Sequence, residues 1–140
     1  MNWDITDIDK YYRTPEGILV ADILATELSH QCRSGRIRAF ANTDDQLAVG
    51  YPFPLYPYDQ PLPPVFMLAE TGVLVWTKDK SVITACIDSA SFPCGTDVFE
   101  QVFVSHALEH VADKAKFLSE IWRCLKGEGE LVVIVPHRRS

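Results

Sequence analysis

Asp88-Ser89-Ala90-Ser91-Phe92-Pro93, then Phe99-Glu100-Gln101-Val102-Phe103-Val104-Ser105-His106-Ala107-Leu108-Glu109-His110-Val111, then Leu125-Lys126-Gly127-Glu128-Gly129-Glu130-Leu131-Val132-Val133-Ile134-Val135-Pro136 form the stretch around which the chain is organised. The apolar runs at 102–104 and 131–135 are short and rich in β-branched residues, which suits strands buried on both faces of a parallel sheet. Between them Phe117, Leu118, Ile121, Trp122 and Leu125 repeat at helical spacing and predict one apolar stripe. Asp113 is placed to cap the start of that helix, and Gly127 to take the left-handed position past its end. Strand, helix and strand joined by short connections make a right-handed crossover unit.

Upstream, three further runs read as strands: Gln46 to Gly50, Val65 to Ala69 and Ser81 to Ala85. Thr14-Pro15-Glu16-Gly17 signals a helix start, with Thr14 as cap and Pro15 in the first turn. Ile18, Leu19, Ala21, Ile23, Leu24 and Leu28 supply its apolar side, and the helix is expected to end near Cys32. Residues 1–13 show no clear period. From Tyr51 to Pro64 the chain holds prolines at 52, 54, 57, 61, 63 and 64, which excludes a long helix there. A polyproline recognition element is the alternative reading of that segment. Lys78-Asp79-Lys80 reads as a solvated loop.

At 140 residues the chain is one domain, 1–140, with enough length for a core. A net charge of -6, with no basic cluster beyond Arg138-Arg139, lacks the electrostatic footprint of a nucleic-acid-binding protein. No apolar run approaches the roughly 20 residues that span a bilayer, and no membrane partner is expected. The start Met1-Asn2-Trp3-Asp4 lacks the positive region of a signal peptide. Cys32, Cys86, Cys94 and Cys124 have no metal-ligand spacing and read as reduced thiols, so a cytoplasmic location is expected.

The stretch from Asp88 to Pro136 resembles the class I S-adenosylmethionine-dependent methyltransferases, in the subgroup with Leu-Glu-His after the fourth strand. That family has an Asp-x-x-x-(Leu/Phe)-Pro segment after the third strand, as in Asp88 to Pro93. It has a Ser-His-x-Leu-Glu-His-Val-like turn after the fourth, as in Ser105 to Val111. It has Leu-Lys-x-Gly-Gly before the fifth, which Leu125 to Gly129 follows loosely. The resemblance implies a three-layer Rossmann-like fold with strand order 3-2-1-4-5, lacking the family's C-terminal antiparallel hairpin. It implies S-adenosylmethionine as cofactor, with the acceptor unidentified.

Ligands of such sheets lie beyond the carboxyl ends of the strands, at the point where the strand order reverses. The residues expected there are Gly50, Tyr51, Glu70, Asp88, Ser89, Phe92, Ser105 and His106. By resemblance Asp88 would hold the adenine amino group, the Ser89 amide a ring nitrogen, and the Phe92 ring would wall the base. Ser105 and His106 would lie near the methionine part or the acceptor pocket, with His106 as the candidate base. Glu70 follows Gly50 by 20 positions, the offset at which such folds place an acid for ribose hydroxyls. The plainer readings are a solvated turn acid for Glu70 and a loop cap for Asp88. The family's glycine-rich loop is broken, because Ala48 stands for its acid and Pro52 and Pro54 for two glycines. Proline removes an N–H that would meet a ligand oxygen, so cofactor binding is expected to be weaker than in a relative with the intact loop. The alternative is a non-catalytic scaffold or protein-binding domain.

His106, Glu109 and His110 have the order of one zinc-peptidase motif, but a strand and Asp113 flank them closely, and no metal is expected. A run ending just past the fifth strand would leave Leu131 to Val135 as an apolar sheet edge. That edge predicts a homodimer through the fifth strand, or cover by residues 1–13.

Overall fold

The computed structural model describes residues 4–31, 45–52, 63–72, 77–78, 81–82 and 84–135. The chain opens with a helix, α1 (Ile5–Tyr12), where residues 1–13 predicted no period. Asp4 caps it: its side chain accepts from the Thr6 and Asp7 amides, and Asp7 returns a bond to the Asp4 amide. This reciprocal capping satisfies end donors that water would otherwise have to meet. Ile5, Ile8 and Tyr12 recur on one side and are buried.

Helix α2 (Pro15–Gln31) starts as expected, with Thr14 Oγ1 accepting from the Gly17 amide. Its buried side is the predicted one only in part. Ile18, Leu19 and Ile23 are exposed, whereas Ala21 of the predicted side packs inward, together with Val20. Gly17 sets this orientation. A Cβ there would stand 1.9 Å from the Tyr11 carbonyl oxygen, so only glycine lets α2 lie this close to the end of α1. The side chain of Leu28 lies outside the described residues.

Five parallel strands form the main sheet: β1 (Gln46–Gly50), β2 (Val65–Leu68), β5 (Thr84–Ile87), β6 (Phe99–Ser105) and β7 (Leu125–Ile134). Their spatial order is β5-β2-β1-β6-β7, the predicted 3-2-1-4-5. The third strand of the sheet lies later than predicted. Ser81 and Val82 belong instead to β4 (Ser81–Val82), which pairs antiparallel with β3 (Thr77–Lys78) in a separate hairpin. Lys78 is therefore paired rather than in a solvated loop. The connection across the proline-rich segment 53–62, with its expected short crossover, lies outside the described residues.

Helix α3 (Lys114–Cys124) joins β6 to β7, and Asp113 caps it by accepting from the Lys116 amide at 3.0 Å. Phe117, Ile121 and Cys124 face the sheet, whereas Leu118 and Trp122 of the predicted stripe are exposed. Burying a side chain such as Phe117 or Ile121 contributes about 1.5–3 kcal/mol each. The helix does not end on Gly127. Leu125 is already extended, and Gly127 lies inside β7. The pairing with β6 jumps from Phe99–Leu125 to Gln101–Glu130, so residues 126–129 bulge beside Glu100.

Side chains alternate between two cores, as the two-residue period of a strand requires. Leu47, Val49, Phe66, Leu68, Val102 and Val104 meet α3 on one face. Ala48, Val65 and Met67 meet Ile5, Ile8 and Tyr12 of α1 on the other. The N-terminal helix thus covers the middle of the sheet and not the β7 edge, for which residues 1–13 were an expected cover. Among the described residues no helix is long and apolar enough to cross a membrane.

Candidate functional site

The strand order reverses between β1 and β6, and the carboxyl ends of the parallel strands open on one edge of the sheet. Gly50 and Tyr51 leave β1, Glu70 follows β2, Asp88 and Ser89 follow β5, and Ser105 and His106 end β6. Topology therefore brings these predicted residues to one edge.

At the switch point Gly50 has φ 89° and pairs with Ser105. A Cβ on Gly50 would stand 2.1 Å from the Ser105 carbonyl oxygen, which also accepts the Tyr51 amide at 2.9 Å. A residue with a Cβ cannot make this joint without parting the two strands. Ser105 is 1% exposed, and its hydroxyl has no hydrogen-bond partner among the described residues. A buried hydroxyl in that state is unusual in a native fold and marks a place where a polar ligand atom would be stabilised.

Tyr51 is fully buried. Its hydroxyl donates to Asp9 Oδ1 at 2.6 Å, and its ring stacks on Tyr12 at 5.6 Å. The Tyr12 hydroxyl lies 2.8 Å from His106 Nε2. His106 has φ 55° and is held by its own amide, which donates to the Ile134 carbonyl. Its Nδ1 lies 4.0 Å from Glu109 Oε1, and His110 Nε2 lies 3.6 Å from the same oxygen. Burial, with His110 nearby, lowers the His106 pKa to about 4, so the ring is neutral at pH 7. Among the described residues no group of three His, Cys, Asp or Glu side chains has the geometry to hold a metal ion.

The outer half of the edge is open. Glu70 and Asp88 are exposed, and Ser89 is half-buried. Asp88 Oδ1 accepts the Ala90 amide at 2.8 Å, the loop-capping role anticipated for it, and its other oxygen takes no hydrogen bond among the described residues. Phe92 does not line the edge. Its ring is buried between Phe66 and Phe117 in the core on the α3 side.

Two residues not foreseen hold this loop. Glu120 accepts the Phe92 amide at 2.8 Å, and Arg123 donates to the carbonyls of Phe92 and Cys94. The Arg123 guanidinium and the Phe92 amide hold the Glu120 carboxyl down at about 2. The pair pins the segment carrying Asp88 and Ser89 to α3. Helical spacing of a Glu and an Arg three apart was visible in the sequence, but not their target. The described cysteines Cys86, Cys94 and Cys124 are free, and burial pushes the Cys124 thiol up, away from nucleophilic reactivity.

Residues 69–133 match the family described as "Methyltransferase domain". Among solved structures, the fold is similar to that of a candidate S-adenosyl-L-methionine-dependent methyltransferase from Methanococcus maripaludis, with a TM-score of 0.60 and 14% identity. The similarity covers 93% of this chain and 63% of that one, so the chain spans less than two thirds of its neighbour's length. None of the curated proteins matches. Sheet order and structural likeness agree on the fold, that of the class I methyltransferases, and residues 69–133 are similar to the methyltransferase domain family.

Proposed function

We propose that this chain is an S-adenosylmethionine-dependent methyltransferase domain that binds its cofactor along the carboxyl edge of the sheet. The observation that carries the reading is the Ser105 hydroxyl, buried and unpartnered beside Gly50 where the strand order reverses. It is the polar contact a methionine moiety would complete. At the open end the Asp88 oxygen without a partner would accept from the adenine amino group, with the Ser89 amide beside it. The Glu70 carboxylate can accept from both ribose hydroxyls. When bound, the cofactor supplies a methyl group already activated on a sulfonium. The chain then has only to bind it, orient the acceptor, exclude water and accept a proton where the acceptor loses one. His106 is the candidate for the last of these. The free thiols of Cys86, Cys94 and Cys124 support a cytoplasmic location.

Pro52 is buried next to Tyr51 and offers no N–H, so the methionine end has fewer donors than an intact glycine loop would give. Binding is expected to be correspondingly weaker. Calorimetric titration with S-adenosylmethionine and S-adenosylhomocysteine tests the proposal. Asp88→Ala should weaken binding about tenfold or more, the usual worth of a hydrogen bond to a charged group. No heat with either ligand at millimolar concentration would reject the reading in favour of a scaffold domain.

A further inference from the structure

The contact between Tyr12 and His106 joins the N-terminal helix to the end of β6 across 94 residues of sequence. It engages the hydroxyl, while the Tyr12 ring stacks separately on Tyr51. The surroundings of the imidazole decide its tautomer. Nδ1 faces the Glu109 carboxylate at 4.0 Å, which favours the proton on that nitrogen. Nε2 is then a lone pair, and the Tyr12 hydroxyl at 2.8 Å is its donor. The Tyr12 pKa is raised, burial being the larger cause, so the phenol keeps its proton to donate.

We propose that Tyr12 is a positioning residue whose hydroxyl holds His106 as the neutral Nδ1–H imidazole at the carboxyl edge of the sheet. The inference rests on the methyltransferase reading for its purpose and on the Tyr12–His106–Glu109 geometry for its substance. A sulfonium and an imidazolium sharing one buried site would repel, and the repulsion grows as water is excluded. A neutral ring avoids that cost and remains able to take a proton.

Other titratable groups near the ring are few among the described residues. Asp9 on α1 is engaged by Tyr51, Glu109 and His110 lie on the turn after β6, and β7 presents the Ile134 carbonyl. The sign of the pH effect follows. The folded pKa of about 4 lies below the ordinary 6.5, so unfolded chains bind the proton first. This contribution to stability is present above about pH 6.5 and is lost as pH falls toward 4.

Tyr12→Phe keeps the ring and its stacking and removes only the hydroxyl. Nitrogen-15 NMR of the imidazole is expected to show a single Nδ1–H tautomer in the unsubstituted protein. In the variant it should show mixed tautomers and a midpoint about one unit higher, the worth of one hydrogen bond. The ratio of S-adenosylmethionine to S-adenosylhomocysteine affinity should stay flat from pH 7.5 to 5.5 in the unsubstituted protein. In the variant the ratio should fall as pH is lowered, because only the former carries the sulfonium charge. An unchanged tautomer and midpoint in Tyr12→Phe would overturn the proposal. If neither ligand binds either protein, the cofactor reading fails and takes the sulfonium rationale with it, while the imidazole titration still decides the role of Tyr12.

Discussion

Gly50→Ala is expected to destabilise the domain by about 3 kcal/mol or more. Two costs combine. A residue with a Cβ pays about 1–2 kcal/mol for the left-handed conformation that φ 89° requires. The methyl would also stand 2.1 Å from the Ser105 carbonyl oxygen, a backbone atom in a central strand that cannot turn aside. Relief means parting β1 from β6 where the cofactor is proposed to bind. Gly127→Ala is the control. Nothing lies within 4 Å of a Cβ at that position, so stability should stay within about 0.5 kcal/mol. Urea unfolding of both variants gives the comparison. Equal losses would show that the strand joint is not as tight as described.

We propose that the domain pairs with a second copy through β7, and Val133→Lys is expected to convert that dimer into a monomer. The sheet ends at β7, which pairs only with β6 among the described strands. Leu131, Val133 and Val135 are exposed along it, and Leu118 and the 80%-exposed Trp122 continue the apolar surface onto α3. Water can meet the backbone groups of an open sheet edge, so their pairing adds little. The driving force is apolar area removed from water. The occupant that fits is a second copy: two β7 strands run antiparallel would complete each other's ladder and set the same apolar stripe against itself. Lysine at 133 places a charge on each side of that contact and should leave the monomer fold nearly unchanged, because the residue is already 37% exposed. Light scattering at micromolar concentration reads the result. A monomer whose mass and solubility are the same with Val133 or Lys would rule out the association.

The parts of the fold legible in the sequence were those with strong local signals. The strands at 46–50, 65–68 and 99–105 are apolar runs, and Asp113 and Thr14 stand at the helix starts they predicted. The third strand was misplaced because Ser81-Val82 and Thr84-Ala85 read as one run, although the chain divides them between two sheets. Helix α1 was missed because it has only three buried residues. Its usable signal was Asp4 and Asp7 flanking Ile5, with Ile8 and Tyr12 at helical offsets. The buried face of α2 was read correctly at Ala21 but misread at Ile18, Leu19 and Ile23, because Gly17, and not the large apolar side chains, makes the closest approach. In the site, Gly50, Glu70, Asp88 and Ser105 were legible because strand ends converge once the topology is known. Asp9 and Tyr12 were not, since their partners lie 42 and 94 residues away and no local pattern encodes such contacts.

The central claim is that a cofactor binds along one edge of the sheet. The most direct measurement is a backbone amide NMR titration with S-adenosylhomocysteine, which reports both binding and its location. The account predicts shifts concentrated at Gly50, Tyr51, Glu70, Ser89, Ser105 and His106, with the amides of Leu118, Trp122 and Leu131 on the α3 side unmoved. Saturating ligand that leaves the edge amides unmoved, or that shifts only residues elsewhere, would contradict it.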